Sequence, residues 1–146
     1  ANELIPFIRT KYNPAREPPH TVLMGSSHGG LAANAIAIEH PDIVGGVISQ
    51  SASLWWPPAD DLEPEYFPRR IAREPRKPIR FYIEVGTFEI DKTRGGQPGQ
   101  VDVSRHFRDV LIAKGYDVVY SQYPGGHEYH SWRVTTPNAL VSFFAP

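Results

Sequence analysis

The chain has 146 residues, 40% of them hydrophobic, which suits one domain with a packed core. It carries no cysteine, so disulfides, thiol nucleophiles and thiolate metal sites are excluded. The formal net charge is -1, with acids and bases mixed along the chain. No basic stripe of the kind that phosphate backbones select is present, and no apolar run is long enough to cross a bilayer. The expected partner is therefore a small molecule, with no nucleic acid and no membrane. The compartment stays open between cytoplasm and export. No signal peptide is visible, and a leader removed before Ala1 is compatible with the sequence.

Residues 2–11 (NELIPFIRTK) place Leu4, Ile5, Phe7 and Ile8 at roughly helical spacing, with Pro6 marking a first turn or a kink. TVLMG at 21–25 is a short apolar run ending in glycine, read as a buried strand. LAANAIAIEH at 31–40 has helical propensity, and Pro41 stops it. IVGGVISQS at 43–51 is β-branched and strand-like. SASLWWPPADDLEPEYFPRR is proline-rich and aromatic, and predicts an irregular surface insertion over the end of a sheet.

IRFYIEVG at 79–86 is the clearest strand, and DKTRGGQPGQ at 91–100 is a polar loop. In 101–115, Val103, Phe107, Val110 and Leu111 share one face of an amphipathic helix that Gly115 caps. YDVVYSQYP at 116–124 is a strand. Thr136-Pro137 then opens a last helix, NALVSFF, with proline in its first turn. Strands alternating with helices predict one α/β domain over 1–146: a mostly parallel sheet with helices on both faces.

The strongest local signal is VLMGSSHGGLAANAIA. A strand runs into Gly25-Ser26-Ser27-His28-Gly29 and a helix follows at once, which is G-x-S-x-G in strand–turn–helix context. A serine at the tip of such a turn is strained and exposed, and Ser27 is the expected nucleophile. Gly25 and Gly29 are expected to lack side chains because the turn is tight, and Gly30 to let the helix pack closely. The helix N-terminus aims free N–H groups at the site. The backbone N–H of His28 is the expected oxyanion donor, worth about 3 kcal/mol by analogy with removal of single donors elsewhere. Ser26 lacks the symmetric glycine spacing and is assigned a structural role.

A serine hydroxyl needs a base within hydrogen-bond reach. In this fold type the base follows the last strand, and the chain order is serine, acid, histidine. His127, after the Gly125-Gly126 turn, meets that condition; His130 is the runner-up. His127 and His130 make a poor zinc pair, because helical pairs prefer i, i+4 spacing and no third ligand clusters with them. No metal and no cofactor is called for. The acid should lie beyond strand 79–86, where Glu89 is favoured and Asp91 competes. Glu84 lies within the strand and points to a face.

The stretches GSSHGGLAANAIAIEHPDIVGGVISQSASLWW, YIEVGTFE and GGHEYHSWR, in this order, resemble the esterase family that includes enterochelin esterases and feruloyl esterases. The resemblance runs from about residue 2 to the C-terminus. It implies an α/β-hydrolase-type sheet, with Ser27 as nucleophile, His127 as base and Glu89 as acid, the acid being the least uniform member. It also implies that Trp55, Trp56, Trp132 and Arg133 border the substrate pocket, where aromatic walls and a cation suit a catecholate or other aromatic acyl ester. The family's strands before the nucleophile, and the loop giving a second oxyanion N–H, have no counterpart here. The resemblance thus implies the C-terminal portion of a larger or cleaved protein, with a reduced variant of the domain as the alternative. Its exposed sheet edge would need covering by the N-terminal half, a partner or self-association.

The reaction expected is serine-dependent carboxylic-ester hydrolysis through an acyl-enzyme, on siderophore-type or aromatic acyl esters. The rivals are acyl transfer to an alcohol, as in mycolyltransferases, and a catalytically silent binding module on the same fold.

Overall fold

The computed structural model describes residues 2–61, 63–91 and 97–145. Residues 92–96 of the predicted polar loop lie outside the described residues. Helix α1 (Leu4–Lys11) is followed by a single 3₁₀ turn, Pro18–His20. Strand β1 (Val22–Ser26), helix α2 (His28–Glu39), strand β2 (Gly46–Gln50), helix α3 (Tyr66–Arg73) and strand β3 (Arg80–Gly86) come next. Helix α4 (Gln100–Ala113), strand β4 (Asp117–Tyr123) and helix α5 (Tyr129–Phe144) complete the order.

The four strands form one parallel sheet in the order β1-β2-β3-β4. Each step across the sheet goes the same way. Right-handed crossovers must then put every connecting helix on the same face. The packing agrees: Ala33, Ala37 and Ile38 of α2, Phe67 and Ile71 of α3, and Val103, Phe107 and Leu111 of α4 share one cluster with Val47, Phe81 and Ile83 of the sheet. The alternate residues Ile48, Tyr82 and Val119 point to the other face and meet Ala139 and Phe143 of α5. Strands β2 and β3 are therefore covered on both faces, which is why apolar residues stand on both sides of each strand. Strand β1 is an edge among the described residues, and its Met24 is 51% exposed.

Helix α4 ends as its sequence predicts. Gly115 has φ 76°, Tyr116 N–H donates to Leu111 O at 3.0 Å, and Gly115 N–H donates to Ile112 O at 2.9 Å. These are the paired bonds of a Schellman cap. Two expectations fail. The stretch after β2 is not a surface insertion at its start: Ser51, Ala52, Ser53 and Leu54 are all buried, and its end, Tyr66–Arg73, forms α3. Its polar residues are buried because they are hydrogen-bonded, which hydrophobic patterning does not reveal.

The last helix does not open at Pro137 either. Helix α5 starts at Tyr129 and carries Pro137 in its interior. Interior proline removes one N–H and crowds the preceding turn. The carbonyl that Pro137 deprives of its helical donor is that of Arg133; one residue earlier, the Trp132 carbonyl accepts from Thr136 Oγ1 at 2.7 Å and from Gln50 Nε2 at 3.2 Å.

Candidate active site

The register aligns Ser26, Gln50, Glu84 and Ser121 across the sheet. The carboxyl ends of the strands therefore lie together, and ligands of open α/β sheets bind at that edge. Each strand delivers one piece: Ser27 after β1, Ser51 to Ser53 after β2, Glu89 after β3 and His127 after β4. The exits of β3 and β4 are tied by Thr87 N–H to Tyr123 O at 2.9 Å and Phe88 N–H to Gly125 O at 3.0 Å. That pairing brings Glu89 beside His127.

Ser27 has φ 55° and ψ -124°, a strained left-handed position for a residue with a side chain. Its N–H donates to Gln50 O at 3.0 Å, and its carbonyl accepts from Ser53 N–H at 3.0 Å and Leu31 N–H at 3.1 Å. The elbow is thus pinned on both sides. Its glycine requirement differs from the expectation. A Cβ on Gly25 would lie 2.1 Å from the Gly29 carbonyl oxygen, and one on Gly30 would lie 2.8 Å from the Ala52 Cβ, whereas one on Gly29 meets nothing within 4 Å. Gly29 is not sterically required: the turn closes so that Gly25 faces the Gly29 backbone, and the site of a Gly29 side chain points into open space.

Ser27 Oγ lies 2.9 Å from His127 Nε2, and His127 Nδ1 lies 2.6 Å from Glu89 Oε2. The Glu89 side chain is only 2% exposed. Its other oxygen, Oε1, accepts from Gly86 N–H at 2.8 Å and from Ser51 Oγ at 2.6 Å. A buried carboxylate with its lone pairs filled this way keeps a fixed direction. Among the described residues, the carboxylate bonded to His127 is that of Glu89; Asp91 lines the cavity. Ser26 turns away, donating to Gln50 Oε1 at 2.9 Å. His130 lies on the first turn of α5, in a separate depression.

A cavity of about 410 Å³ opens on Ser27 and His127. Trp55, Phe88, His28, Ser53 and Gln100 contribute to its wall. The His28 ring stands edge-on to Trp55 at 5.9 Å, and its Nδ1 is 3.3 Å from Ser53 Oγ, which is itself 3.4 Å from Ser27 Oγ. The His28 N–H opens α2, where first-turn N–H groups have no partner within the helix.

Of the four predicted border residues, Trp55 lines this cavity. Trp56 is 39% exposed and is not among its lining residues. Trp132 and Arg133 line a different cleft, with Met24 and Gln50. Trp132 stands behind His127 instead, ring edge to ring at 5.0 Å, and its indole N–H donates to Ser51 Oγ at 3.0 Å. Sequence reasoning missed Ser51, Ser53, Phe88 and Gln100. The signal that could have found the two serines was their place directly after a buried strand, where a polar residue must find a partner.

The chain matches the model of the "Putative esterase" family over residues 1–143. The chain belongs to the esterase family. It is 29% identical over 143 residues to the iron(III) enterobactin esterase of Dickeya dadantii, covering 90% of this chain and 31% of that protein. It is 30% identical over 144 residues to the iron(III) salmochelin esterase of Escherichia coli O6:H1, covering 91% and 33%. The enterochelin esterase structure from Shigella flexneri superposes with a TM-score of 0.83 at 24% identity, covering 99% of this chain and 35% of that one. The fold is thus of the α/β-hydrolase type. The chain spans about a third of the length of these relatives.

Behind this edge lies a second buried carboxylate, Glu84, on the α5 face. Gln50 Nε2 donates to it at 2.7 Å and Thr135 Oγ1 also donates to it. Burial pushes its carboxyl above the usual range, against the opposing effect of those hydrogen bonds. A carboxyl raised on folding holds its proton more tightly in the folded state. Its contribution to stability is therefore present below the unfolded value, about 4.3, and is lost as pH rises through the folded one. Glu84→Gln removes this loss. Urea unfolding should give similar midpoints for both proteins near pH 4 and a higher midpoint for Glu84→Gln at pH 8. A wild-type protein equally stable relative to the variant at both pH values contradicts this.

Proposed function

We propose that the chain carries the catalytic residues of a serine-dependent carboxylic-ester hydrolase. The observation that carries this reading is the continuous hydrogen-bonded line from Ser27 Oγ through the His127 imidazole to the buried Glu89 carboxylate, at 2.9 and 2.6 Å. His127 Nε2 takes the proton as Ser27 Oγ attacks the ester carbonyl. Glu89 fixes the tautomer, with the proton on Nδ1, and stabilises the imidazolium that forms. The His28 N–H holds the oxyanion of the tetrahedral intermediate. The alcohol leaves with the proton from His127, and water activated by the same imidazole releases the acid from Ser27.

The substrate class we propose is an aromatic acyl ester. Trp55 and Phe88 in the wall of the cavity support an aromatic acyl group beside Ser27. The relatives named iron(III) enterobactin esterase and iron(III) salmochelin esterase support ester hydrolysis. Initial rates on methyl ferulate, p-nitrophenyl acetate and a ferric catecholate trilactone test it. The expected result is turnover with an aromatic acyl ester that Ser27→Ala abolishes. Negligible turnover of all three by folded protein contradicts it.

A further inference from the structure

We infer that Ser51 is a positioning residue: its hydroxyl holds the Glu89 carboxylate so that Oε2 faces His127. This inference rests on the Ser27–His127–Glu89 reading above. Ser51 follows β2, is fully buried, and has φ 43°, a conformation unfavourable for a residue with a side chain. The chain around it is held by three contacts: Ser51 N–H donates to Glu84 O at 2.8 Å, Gln100 Nε2 donates to Ser51 O at 2.9 Å, and the neighbouring Gln50 carbonyl is bonded to Ser27 N–H. Strain kept in place by so many bonds calls for a reason in what the side chain does.

The hydrogen-bond roles at Ser51 Oγ can be assigned. The indole N–H of Trp132 can only donate, so Ser51 accepts from it at 3.0 Å. A carboxylate oxygen can only accept, so the single Ser51 proton goes to Glu89 Oε1 at 2.6 Å. With that proton committed, the Tyr123 hydroxyl at 3.3 Å is left to donate to Ser51. Gly86 N–H reaches the same Oε1. Both donors act on one oxygen, which leaves Oε2 for the imidazole. Trp132 therefore bears on His127 twice, once through its ring edge and once through Ser51 and Glu89.

The test uses Ser51→Ala and Ser51→Gly in the 146-residue chain, each also in a Glu89→Gln background. Glycine relieves the backbone strain and alanine does not, so a role in backbone geometry alone separates the two variants. Two readouts are taken: kcat on the best ester, and the Nδ1–H resonance of His127 in histidine-labelled protein. Both variants should lose about 10-fold in kcat with KM unchanged, the worth of one hydrogen bond to a charged group. Both should shift the His127 resonance. In the Glu89→Gln background the further loss should vanish, because Ser51 acts through Glu89. An unmoved resonance in both variants, or an equal loss in that background, overturns the inference. A wild-type chain without turnover on any ester removes the esterase reading instead, and the resonance alone then decides for or against Ser51.

Discussion

Gly25→Ala should destabilise the protein by about 3 kcal/mol or more, or prevent folding, while Gly29→Ala should leave it as stable or slightly more so. A Cβ at Gly25 would sit 2.1 Å from the Gly29 carbonyl oxygen, and its other near neighbours are also backbone atoms of Gly29 and Gly30. Backbone atoms cannot turn aside as a flexible side chain can. Relief would have to come from opening the elbow, which would break the bonds from Ser27 to Gln50, Leu31 and Ser53. Gly29 lies in the first turn of α2 with free space where a side chain would point, and alanine favours a helix over glycine by up to about 1 kcal/mol. Urea unfolding midpoints separate the two variants. A loss at Gly29 equal to that at Gly25 contradicts the packing described for the elbow.

His127→Ala should lower kcat by about 10,000-fold or more with little change in KM, and Glu89→Gln should lower it by about 10,000-fold. The two losses should not add, because both residues act on one proton transfer. Glu89→Gln keeps the shape of the side chain, yet it can present an N–H to His127 Nδ1 and favour the wrong tautomer. Asp91→Ala should stay within a few-fold of wild type, since the imidazole contact at 2.6 Å belongs to Glu89. Steady-state kinetics on one ester decides. An Asp91→Ala loss matching that of Glu89→Gln would reassign the acid.

The parts of the fold that announced themselves in the sequence are those whose burial is apolar and periodic. Strand β3 and helix α4 fall within a residue or two of the segments read from their patterns. Ser27, Glu89 and His127 could be named because each follows a strand at a turn of recognisable chemistry. The structure brings all three into hydrogen-bond contact. What stayed hidden has a common cause. Ser51 and Ser53 are buried through hydrogen bonds, and Trp132 reaches Ser51 across 81 positions of sequence. No local periodicity encodes such contacts. Pro137 misled because its rule describes an isolated helix. Here α5 begins at Tyr129, packs Ala139 and Phe143 against the sheet, and runs through the proline. The border residues Trp132 and Arg133 follow from the same shift: once α5 begins at Tyr129, both lie on its first turns and face the cleft beside Gln50.

The central claim is that Ser27 is an activated nucleophile, and covalent labelling tests it most directly. The folded chain is treated with a fluorophosphonate, digested, and the adduct located by mass spectrometry. The account predicts a single adduct on Ser27, absent in Ser27→Ala and strongly slowed in His127→Ala. An adduct on Ser26 or elsewhere in place of Ser27, or no adduct on protein shown to be folded, would contradict it.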